Sequence, residues 1–213
     1  MKFSKNMLLL YAVTDRSWTQ NQTLYEQVEQ ALEGGVTIVQ LREKNLSQEE
    51  FIKEAVQMKN LCHRYGVPLI INDNVDVALK SGADGVHVGI DDVPVAEIRK
   101  RTGEDFIIGA TAKTVEQAQN AENSGADYLG VGAVFPSPTK KNAIRITTAK
   151  LKEICSSVSI PTVAIGGINY DNMLEIKGGG MDGIAVVSAI FSAADIKTAT
   201  EKLKKKAKEV TKN

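Results

Sequence analysis

Short apolar runs alternate with amphipathic stretches along the whole chain, and this alternation is the strongest signal in the sequence. The apolar runs occupy residues 8–15, 37–44, 68–73, 85–89, 106–111, 128–135, 161–168 and 183–190. Each run begins as a continuous apolar stretch, which is typical of parallel strands covered on both faces. The pattern therefore predicts eight buried, parallel β-strands.

The amphipathic stretches between these runs predict helices. They occupy residues 23–35, 47–66, 76–83, 94–103, 114–126, 147–158, 170–180 and 194–210. Several begin with Ser or Thr and end with Gly, which are the residues preferred at helix N-caps and just beyond helix C-termini. A short motif also recurs, and each copy predicts a helix end that leads into the next strand. The copies are SGADGVHVG at 81–89, SGADYLGVG at 124–132 and, less closely, GGMDGIAVV at 179–187.

Eight β/α units in 213 residues predict an α/β fold of the (β/α)8 TIM-barrel class, because eight strands close a sheet whose interior is filled by side chains. A doubly wound open sheet is the alternative. No proline-rich or glycine-rich linker interrupts the pattern, so we expect a single domain over residues 1–213.

The balance of charged side chains bears on the kind of molecule that the protein binds. The 26 basic and 26 acidic side chains cancel, which gives no reason to expect nucleic acid or a membrane as a partner. The lysine-rich C-terminal stretch at 202–213 is interpreted as a solvated last helix.

Cys62 and Cys155 belong to no CxxC pair, so we expect reduced core thiols. The seven-residue apolar run after Lys5 is too short for a membrane span, and we expect a cytoplasmic protein.

Candidate chemistry gathers after the predicted strands. In barrels of this class the active site lies at the C-terminal ends of the strands. The polar residues and glycines at those ends are Gln40, Arg42, Lys44, Asn72, Asp73, Asp91, Asp92, Thr111, Lys113, Ser137, Thr139, Lys140, Gly166, Gly167 and Ser188. This concentration predicts a polar site at one rim of the barrel.

Gln40, Arg42 and Lys44 alternate along the second strand, so their side chains point to the same face. Two cations and an amide aimed together into a barrel mouth predict a polyphosphate or carboxylate ligand. The alternative is that the two cations pair with Glu43 and other surface acids.

Asp73 and Asp92 follow neighbouring strands, and two carboxylates at one mouth suit Mg²⁺, which binds one or two carboxylates together with water and phosphate oxygens. A general acid/base pair is the alternative for both residues. A purely structural alternative for Asp73 is that it caps the helix that begins near Asn74.

A second anion site is predicted at strands 7 and 8. Glycines at 166–168 and a helix start within 187–190 are typical of the phosphate cradle of these barrels. The loop with Ser137, Thr139 and Lys140 lies between the two sites and could serve both.

The two histidines support no hydrolytic triad. His63 lies among charged residues of a predicted helix and is interpreted as a surface residue. His87 alternates with valines in strand 4, which favours a hydrogen-bonded core residue over a catalytic base. The spacing supports no Ser/His/Asp arrangement.

Taken in order, six motifs resemble those of the thiamine-phosphate synthase family over nearly the whole chain. They are YAVTDR at 11–16, QLREK at 40–44, NDNVDVALKSGADGVHVGIDD at 72–92, GADYLGVGAVFPSPTKK at 125–141, VAIGGI at 163–168 and VVSAI at 186–190. Their combination is highly specific, whereas a single motif such as GGI before a helix would be weak.

The resemblance implies a TIM-barrel transferase of thiamine biosynthesis. It would join 4-amino-2-methyl-5-hydroxymethylpyrimidine diphosphate to thiazole phosphate, giving thiamine phosphate and pyrophosphate through a carbocation formed when the diphosphate leaves. The implied catalytic groups are Lys140, Arg42 and Thr111, and Asp73 and Asp92 would hold Mg²⁺. The implied substrate contacts are Gln40, Arg42, Lys44, Asn72, Thr111, Lys140 for the pyrimidine diphosphate, and Ser137, Thr139, Gly167, Val187, Ser188 for the thiazole phosphate.

Three departures from the family pattern bear on substrate contacts. Thr111 stands where the family usually has Ser, Lys113 where it usually has His, and Ser137 where Thr is commoner. Two rival functions are a thiazole tautomerase of the same family and a non-catalytic phosphate-binding barrel. The partners implied are small-molecule substrates, and a homo-oligomer is compatible with the sequence, which does not fix the number of subunits.

Overall fold

The computed structural model describes residues 2–19, 22–137 and 144–211. Its eight strands are all parallel and pair in sequence order, and β8 pairs with β1 to close the barrel. The strands are β1 Leu10–Val13, β2 Ile38–Leu41, β3 Leu69–Asn72, β4 Gly85–Val88, β5 Ile107–Ala112, β6 Tyr128–Gly132, β7 Thr162–Ile165 and β8 Gly183–Val186. The predicted TIM barrel is confirmed, and the open-sheet alternative is wrong because no edge is left unpaired.

The helices cover the barrel on the outside. They are α1 Leu24–Glu33, α2 Gln48–Arg64, α3 Val75–Ser81, α4 Val95–Thr102, α5 Val115–Asn123, α6 Thr148–Ser156, α7 Ser188–Phe191 and α8 Ile196–Val210. Side chains of Thr23, Ser47, Thr114 and Thr147 accept hydrogen bonds from backbone N–H groups of the first turns of their helices, as the sequence predicts.

Two stretches differ from the predicted elements. The helix expected over 170–180 is only a short 3₁₀ helix, Met173–Ile176, since Gly178 and Gly180 both have a φ of 80° and end the helical path. The apolar run 183–190 is also not one strand. It divides into β8 and the short helix α7, which begins two residues after the strand ends.

Two apolar cores flank the barrel wall. The interior core is filled by Leu8, which precedes β1, and by side chains from the strands: Tyr11, Val13, Ile38, Ile70, Ile107, Tyr128, Val163 and Ala185. The larger core lies between the outer face of the strands and the helices, and includes Val39, Ile71 and Val86 from the strands and Met58 and Leu203 from the helices. Residues in the strands therefore alternate between the two cores, so every strand is buried on both sides.

The repeated GAD motif closes the N-terminal end of the barrel. The carboxylates of Asp84 and Asp127 accept hydrogen bonds from the backbone N–H groups of Leu69 and Ile108, at 2.8 and 2.7 Å. Asp182 accepts in the same way from Thr162, at 3.0 Å. Each Asp thus fixes the start of the preceding strand. The motif repeated in the sequence therefore has a structural role, at the end of the barrel opposite the C-terminal ends of the strands.

The structure also bears on the predictions for the cysteines, the lysine-rich end and membrane spans. Cys62 and Cys155 are buried and free. The lysine-rich end forms α8, which buries Leu203, Ala207 and Val210 against the barrel. Within the described ranges, every helix is too short or too polar to traverse a lipid bilayer.

Candidate active site

A cavity of about 510 Å³ opens at the C-terminal ends of the strands, and all eight strands contribute to its wall. The predicted site residues that line it are Gln40, Arg42, Lys44, Asn72, Asp73, Asp92, Thr111, Ser137, Gly167, Val187 and Ser188. Residues up to 148 positions apart in sequence, from Gln40 to Ser188, therefore meet at one mouth. The predicted residues Thr139 and Lys140 lie outside the described residues.

The three side chains predicted to share a face of β2 all reach this cavity. The Gln40 amide donates to the hydroxyl of Tyr11 at 2.8 Å. The Arg42 guanidinium lies 3.5 Å from an Asp15 carboxylate oxygen, and the Lys44 ammonium lies 2.7 Å from an Asp73 oxygen. Each cation thus lines the cavity and has one acid within contact distance, which orients its side chain.

Glu43 is not the partner of these cations. Its carboxylate accepts from Arg16 at 2.8 Å, and the same Arg16 also binds Glu54 on α2. Only 3% of the Glu43 side chain is exposed, on the opposite face of the strand end. The part of the alternative that pairs Arg42 and Lys44 with Glu43 is therefore wrong. Its other part is confirmed, because Arg42 contacts Asp15 and Lys44 contacts Asp73.

Asp73 has an unusual backbone at the end of β3. Its φ is 62°, and its N–H donates to the carbonyl of His87 at 2.8 Å. One carboxylate oxygen accepts from the Asn72 amide and the other from Lys44. The cap of α3 is instead Asn74, which accepts from the N–H of Val77 at 3.0 Å. The capping alternative for Asp73 is wrong, and its carboxylate faces the cavity.

Asp92 lies beside Asp73. One oxygen of Asp92 accepts from the N–H of Gly89 at 2.7 Å. Burial raises the pKa of Asp92, and the neighbouring Asp73 carboxylate, in hydrogen-bonding contact with it, raises that pKa further. Two carboxylates held this close repel each other when both are ionised, so the site favours a cation between or beside them.

This donor set fits magnesium and does not fit zinc. Among the residues that the structure describes, no group of three or more His, Cys, Asp or Glu side chains is arranged to hold a metal ion. Structural zinc sites need four protein ligands and catalytic ones three, whereas Mg²⁺ uses one or two carboxylates and completes its shell with water and substrate phosphate oxygens. Asp73 and Asp92 supply the smaller set.

The other side of the mouth is formed by backbone. Gly166 and Gly167 have φ values of 101° and 64°, and a Cβ on Gly167 would overlap the carbonyl oxygen of Pro136. The N–H of Phe135 donates to the carbonyl of Gly166 at 2.9 Å, which holds the loop after β6 against the loop after β7. Only glycine allows this approach, so the two loops form one concave wall with Val187 and Ser188.

A chain of hydrogen bonds across the barrel interior was not predicted. From Gln40 it passes to the Tyr11 hydroxyl, which lies 2.8 Å from the Tyr128 hydroxyl. His87 then joins Tyr128 to Thr111, with 3.1 Å at each ring nitrogen. The interpretation of His87 as a hydrogen-bonded core residue is confirmed, but its ring also lines the cavity.

The interior environment keeps this chain uncharged at neutral pH. Burial lowers the pKa of His87 to about 4, and burial raises the pKa of Tyr11 above its usual value. Space for the chain comes from Gly109, where a Cβ would overlap both the Tyr128 ring and the His87 imidazole. Period-two spacing of Tyr11 with Val13 and of Tyr128 with Gly130 was the available signal that these residues face inward.

Several further residues line the mouth without having been assigned a role. They include Ile90, Asp91 and Lys113 on the loops after β4 and β5. His63 is remote from them. It lies 2.8 Å from Asp84 at the other end of the barrel, and 38% of its side chain is exposed, which agrees with the predicted surface position.

Comparison with known proteins agrees with this architecture. Residues 10–190 match the family model described as thiamine monophosphate synthase. The chain is 51% identical over 200 residues to a thiamine-phosphate synthase of Ruminiclostridium cellulolyticum, covering 94% of this chain and 95% of the relative. It is 49% identical over 194 residues to a thiamine-phosphate synthase of Clostridium tetani, covering 91% and 93%.

A solved structure shows the same agreement in three dimensions. Thiamine phosphate pyrophosphorylase from Pyrococcus furiosus is 42% identical and superposes with a TM-score of 0.90 over 98% of this chain and 99% of that one. Family model, sequence relatives and solved structure all span nearly the whole barrel, including the strand ends that form the cavity. The chain belongs to the thiamine monophosphate synthase family.

Proposed function

We propose that this protein is a thiamine-phosphate synthase, a transferase that couples 4-amino-2-methyl-5-hydroxymethylpyrimidine diphosphate to thiazole phosphate and releases pyrophosphate. Membership of the family supports the reaction class. The observation that carries the proposal is one cavity with two unlike anion sites. Cations and paired carboxylates occupy one side of it, and a glycine wall occupies the other.

The first site suits a diphosphate. Arg42 and Lys44 offer positive charge, and Asn72 offers an amide beside them. Asp73 and Asp92 would hold Mg²⁺, which when bound neutralises negative charge on a diphosphate. Lys140, which lies outside the described residues, is proposed as a further cation for the leaving group. Such a set binds a departing anion more strongly as its charge develops, which is the form of stabilisation that lowers a reaction barrier.

The second site suits a phosphate monoester. Gly167, Val187 and Ser188 line a concave wall, and Ser137 lies on the loop packed against it. Thr139 is proposed to add a hydroxyl there. A phosphate bound at this wall would hold the thiazole in the same cavity as the pyrimidine, so the two reactants would meet as a preassembled pair.

The reaction that we propose proceeds by departure of the leaving group. The C–O bond between the pyrimidine methylene and the diphosphate breaks, and the electron pair leaves with pyrophosphate. The resulting carbocation is captured by the lone pair of the thiazole nitrogen, which forms the new C–N bond. No protein nucleophile is required, in agreement with two cysteines that lie outside the cavity lining.

Thr111 and Gln40 are proposed to contact the pyrimidine. They are the two ends of the interior hydrogen-bond chain, and their side chains are held by His87 and Tyr11. Because the chain is neutral and reaches the cavity at His87 and Thr111, it provides polar contacts without an extra charge beside the carbocation.

The direct test is pyrophosphate release with both organic substrates, measured with and without magnesium. We expect the wild-type protein to release pyrophosphate only when magnesium is supplied. Lys140→Ala and Asp92→Ala should lose at least about 100-fold in kcat/KM, since each removes charge that acts on the leaving group. Lys152→Ala is the matched control, because Lys152 is an exposed lysine on α6. Full activity of either site variant would remove its assigned role.

The two rival functions predict different results in the same assay. A thiazole tautomerase would isomerise the thiazole without consuming the pyrimidine diphosphate, and a phosphate sensor would bind both ligands without releasing pyrophosphate. The complete set of Gln40, Arg42, Lys44, Asp73 and Asp92 at one mouth favours the synthase over both. A cytoplasmic location and a homo-oligomeric state stay predictions.

A further inference from the structure

Lys113 is a cation at the mouth of the cavity with no partner in the mechanism above. It follows β5 directly, and its backbone N–H donates to the side chain of Gln117 at 2.8 Å, which fixes the chain at this point. Its side chain lines the same cavity as Asp92 and Thr111 and is half-buried.

The surroundings of Lys113 differ from those of the other two described cations. Arg42 faces Asp15, and Lys44 faces Asp73. Within the described ranges, no ion pair joins Lys113 to a carboxylate. A lysine that lines a concave site without an internal counter-charge is free to pair with an anionic ligand, and the cavity wall removes part of the competing water.

The topology places Lys113 on the opposite flank of the carboxylate pair from Lys44. Around the barrel, Lys44 follows β2, Asp73 follows β3, Asp92 belongs to the loop after β4, and Lys113 follows β5. The two carboxylates are therefore bracketed by one lysine on each side. A diphosphate held beside those carboxylates can reach cations in both directions.

We propose that Lys113 is a binding residue for the pyrophosphate group, acting on the diphosphate of the substrate and on the pyrophosphate product. The ammonium would donate a charge-assisted hydrogen bond to a phosphate oxygen on the β5 side of the carboxylate pair. This inference rests on the proposed function for its identification of the ligand. It adds a cation that follows β5 to the two, Arg42 and Lys44, that follow β2.

The thiazole phosphate is a poorer match for Lys113. Its proposed wall is built on β7 and β8, from Gly167, Val187 and Ser188, and consists of glycine backbone, an apolar side chain and a hydroxyl. The strand β5 adjoins β4, which leads to Asp92, and is separated from β7 by β6. Charge and position both favour the diphosphate.

The test measures binding of inorganic pyrophosphate with magnesium by calorimetry, so that no turnover is needed. Lys113→Gln is expected to weaken pyrophosphate binding about tenfold, the effect of removing one charge-assisted hydrogen bond. Lys113→Arg keeps the charge and should stay within about threefold of the wild type. Lys80→Gln is the matched control. It removes the same charge from the exposed last turn of α3, and its affinity should be unchanged.

Each other outcome contradicts the inference. Equal pyrophosphate affinity of wild type and Lys113→Gln would overturn it, as would weakened binding of inorganic phosphate with pyrophosphate binding unchanged. A loss of affinity shared by Lys80→Gln would show a general charge effect and would also overturn it. Far-ultraviolet circular dichroism establishes that each variant is folded. Failure of the proposed function is a separate result, namely no pyrophosphate released by the wild type from both organic substrates.

Discussion

Asp73 combines a strained backbone with a functional side chain. Among the described residues it is the only non-glycine residue with a positive φ, at 62°. Asp and Asn tolerate this left-handed conformation better than other residues with a Cβ, because their short polar side chains form local hydrogen bonds. The position therefore restricts the side chain in two ways, by conformation and by charge.

These two requirements can be separated by two substitutions. Asp73→Asn should abolish turnover because it removes the charge. It should be at least as stable as the wild type, because asparagine also suits a positive φ and because the repulsion with Asp92 is relieved. Asp73→Ala should abolish turnover as well and should be about 1 kcal/mol less stable than Asp73→Asn, since alanine pays the cost of the left-handed backbone. Urea unfolding and pyrophosphate release measure the two effects. Equal stability of both variants would contradict the conformational argument.

At this scale the sequence predicted the positions of side chains that alternate regularly and missed those whose role depends on partners far away in the chain. Gln40, Arg42 and Lys44 share a face because of period two alone. The pairing of Tyr11 with Tyr128 joins residues 117 positions apart, and nothing local distinguishes either tyrosine from an ordinary core residue. Only the folded barrel brings their hydroxyls within hydrogen-bonding distance.

For the strands and helices, the local sequence predicts most of the bounds but not all of them. Strand bounds lie within all the predicted runs except at β5, which extends one residue further to Ala112. The run at 183–190 could not be divided from its composition, because VVSAI is equally apolar in the strand and in α7. The loss of the helix over 170–180 follows from glycine conformations that the sequence permits but does not require.

The GAD motif gives a prediction about how elements are joined. Asp127 accepts from the N–H of Ile108 and from Arg99, both at 2.7 Å, and Arg99 is only 14% exposed. Asp127→Ala should therefore lower the free energy of unfolding by about 2 kcal/mol. The backbone donor of Ile108 loses its partner, and the largely buried guanidinium of Arg99 loses its carboxylate and keeps only backbone carbonyls as acceptors. Urea unfolding followed by fluorescence or circular dichroism measures it.

The control for this experiment is the exposed pair of Arg101 with Asp76. Both side chains are more than 40% exposed, and Asp76→Ala should cost less than about 1 kcal/mol. If the two alanine variants were equally stable, the carboxylate of Asp127 would be an ordinary surface charge and not a fastening for the start of β5.

For the whole molecule, the site is a consequence of barrel closure. The cavity lining runs from Tyr11 on β1 to Ser188 after β8, so no fragment of the chain contains it. At this rim the pairing of β3 with β4 brings Asp73 and Asp92 together, and their mutual repulsion opposes folding. Function and stability are thus in conflict at this point unless a cation is bound.

That conflict predicts a reversal in the order of stability. Without magnesium, Asp92→Asn should melt at a higher temperature than the wild type, because it removes one of two adjacent charges and its amide oxygen can still accept from the N–H of Gly89. With magnesium and pyrophosphate at about 100 times their dissociation constants, the wild type should gain about 2.7 kcal/mol by ligand linkage and become the more stable protein. Differential scanning calorimetry of both proteins, with and without these ligands, measures this reversal of melting temperatures.

Asp91→Asn serves as the control, because Asp91 lines the same mouth without an assigned role as a ligand. The melting temperature of this variant should rise with the ligands as that of the wild type does. An equal rise in Asp92→Asn would exclude Asp92 from the metal site.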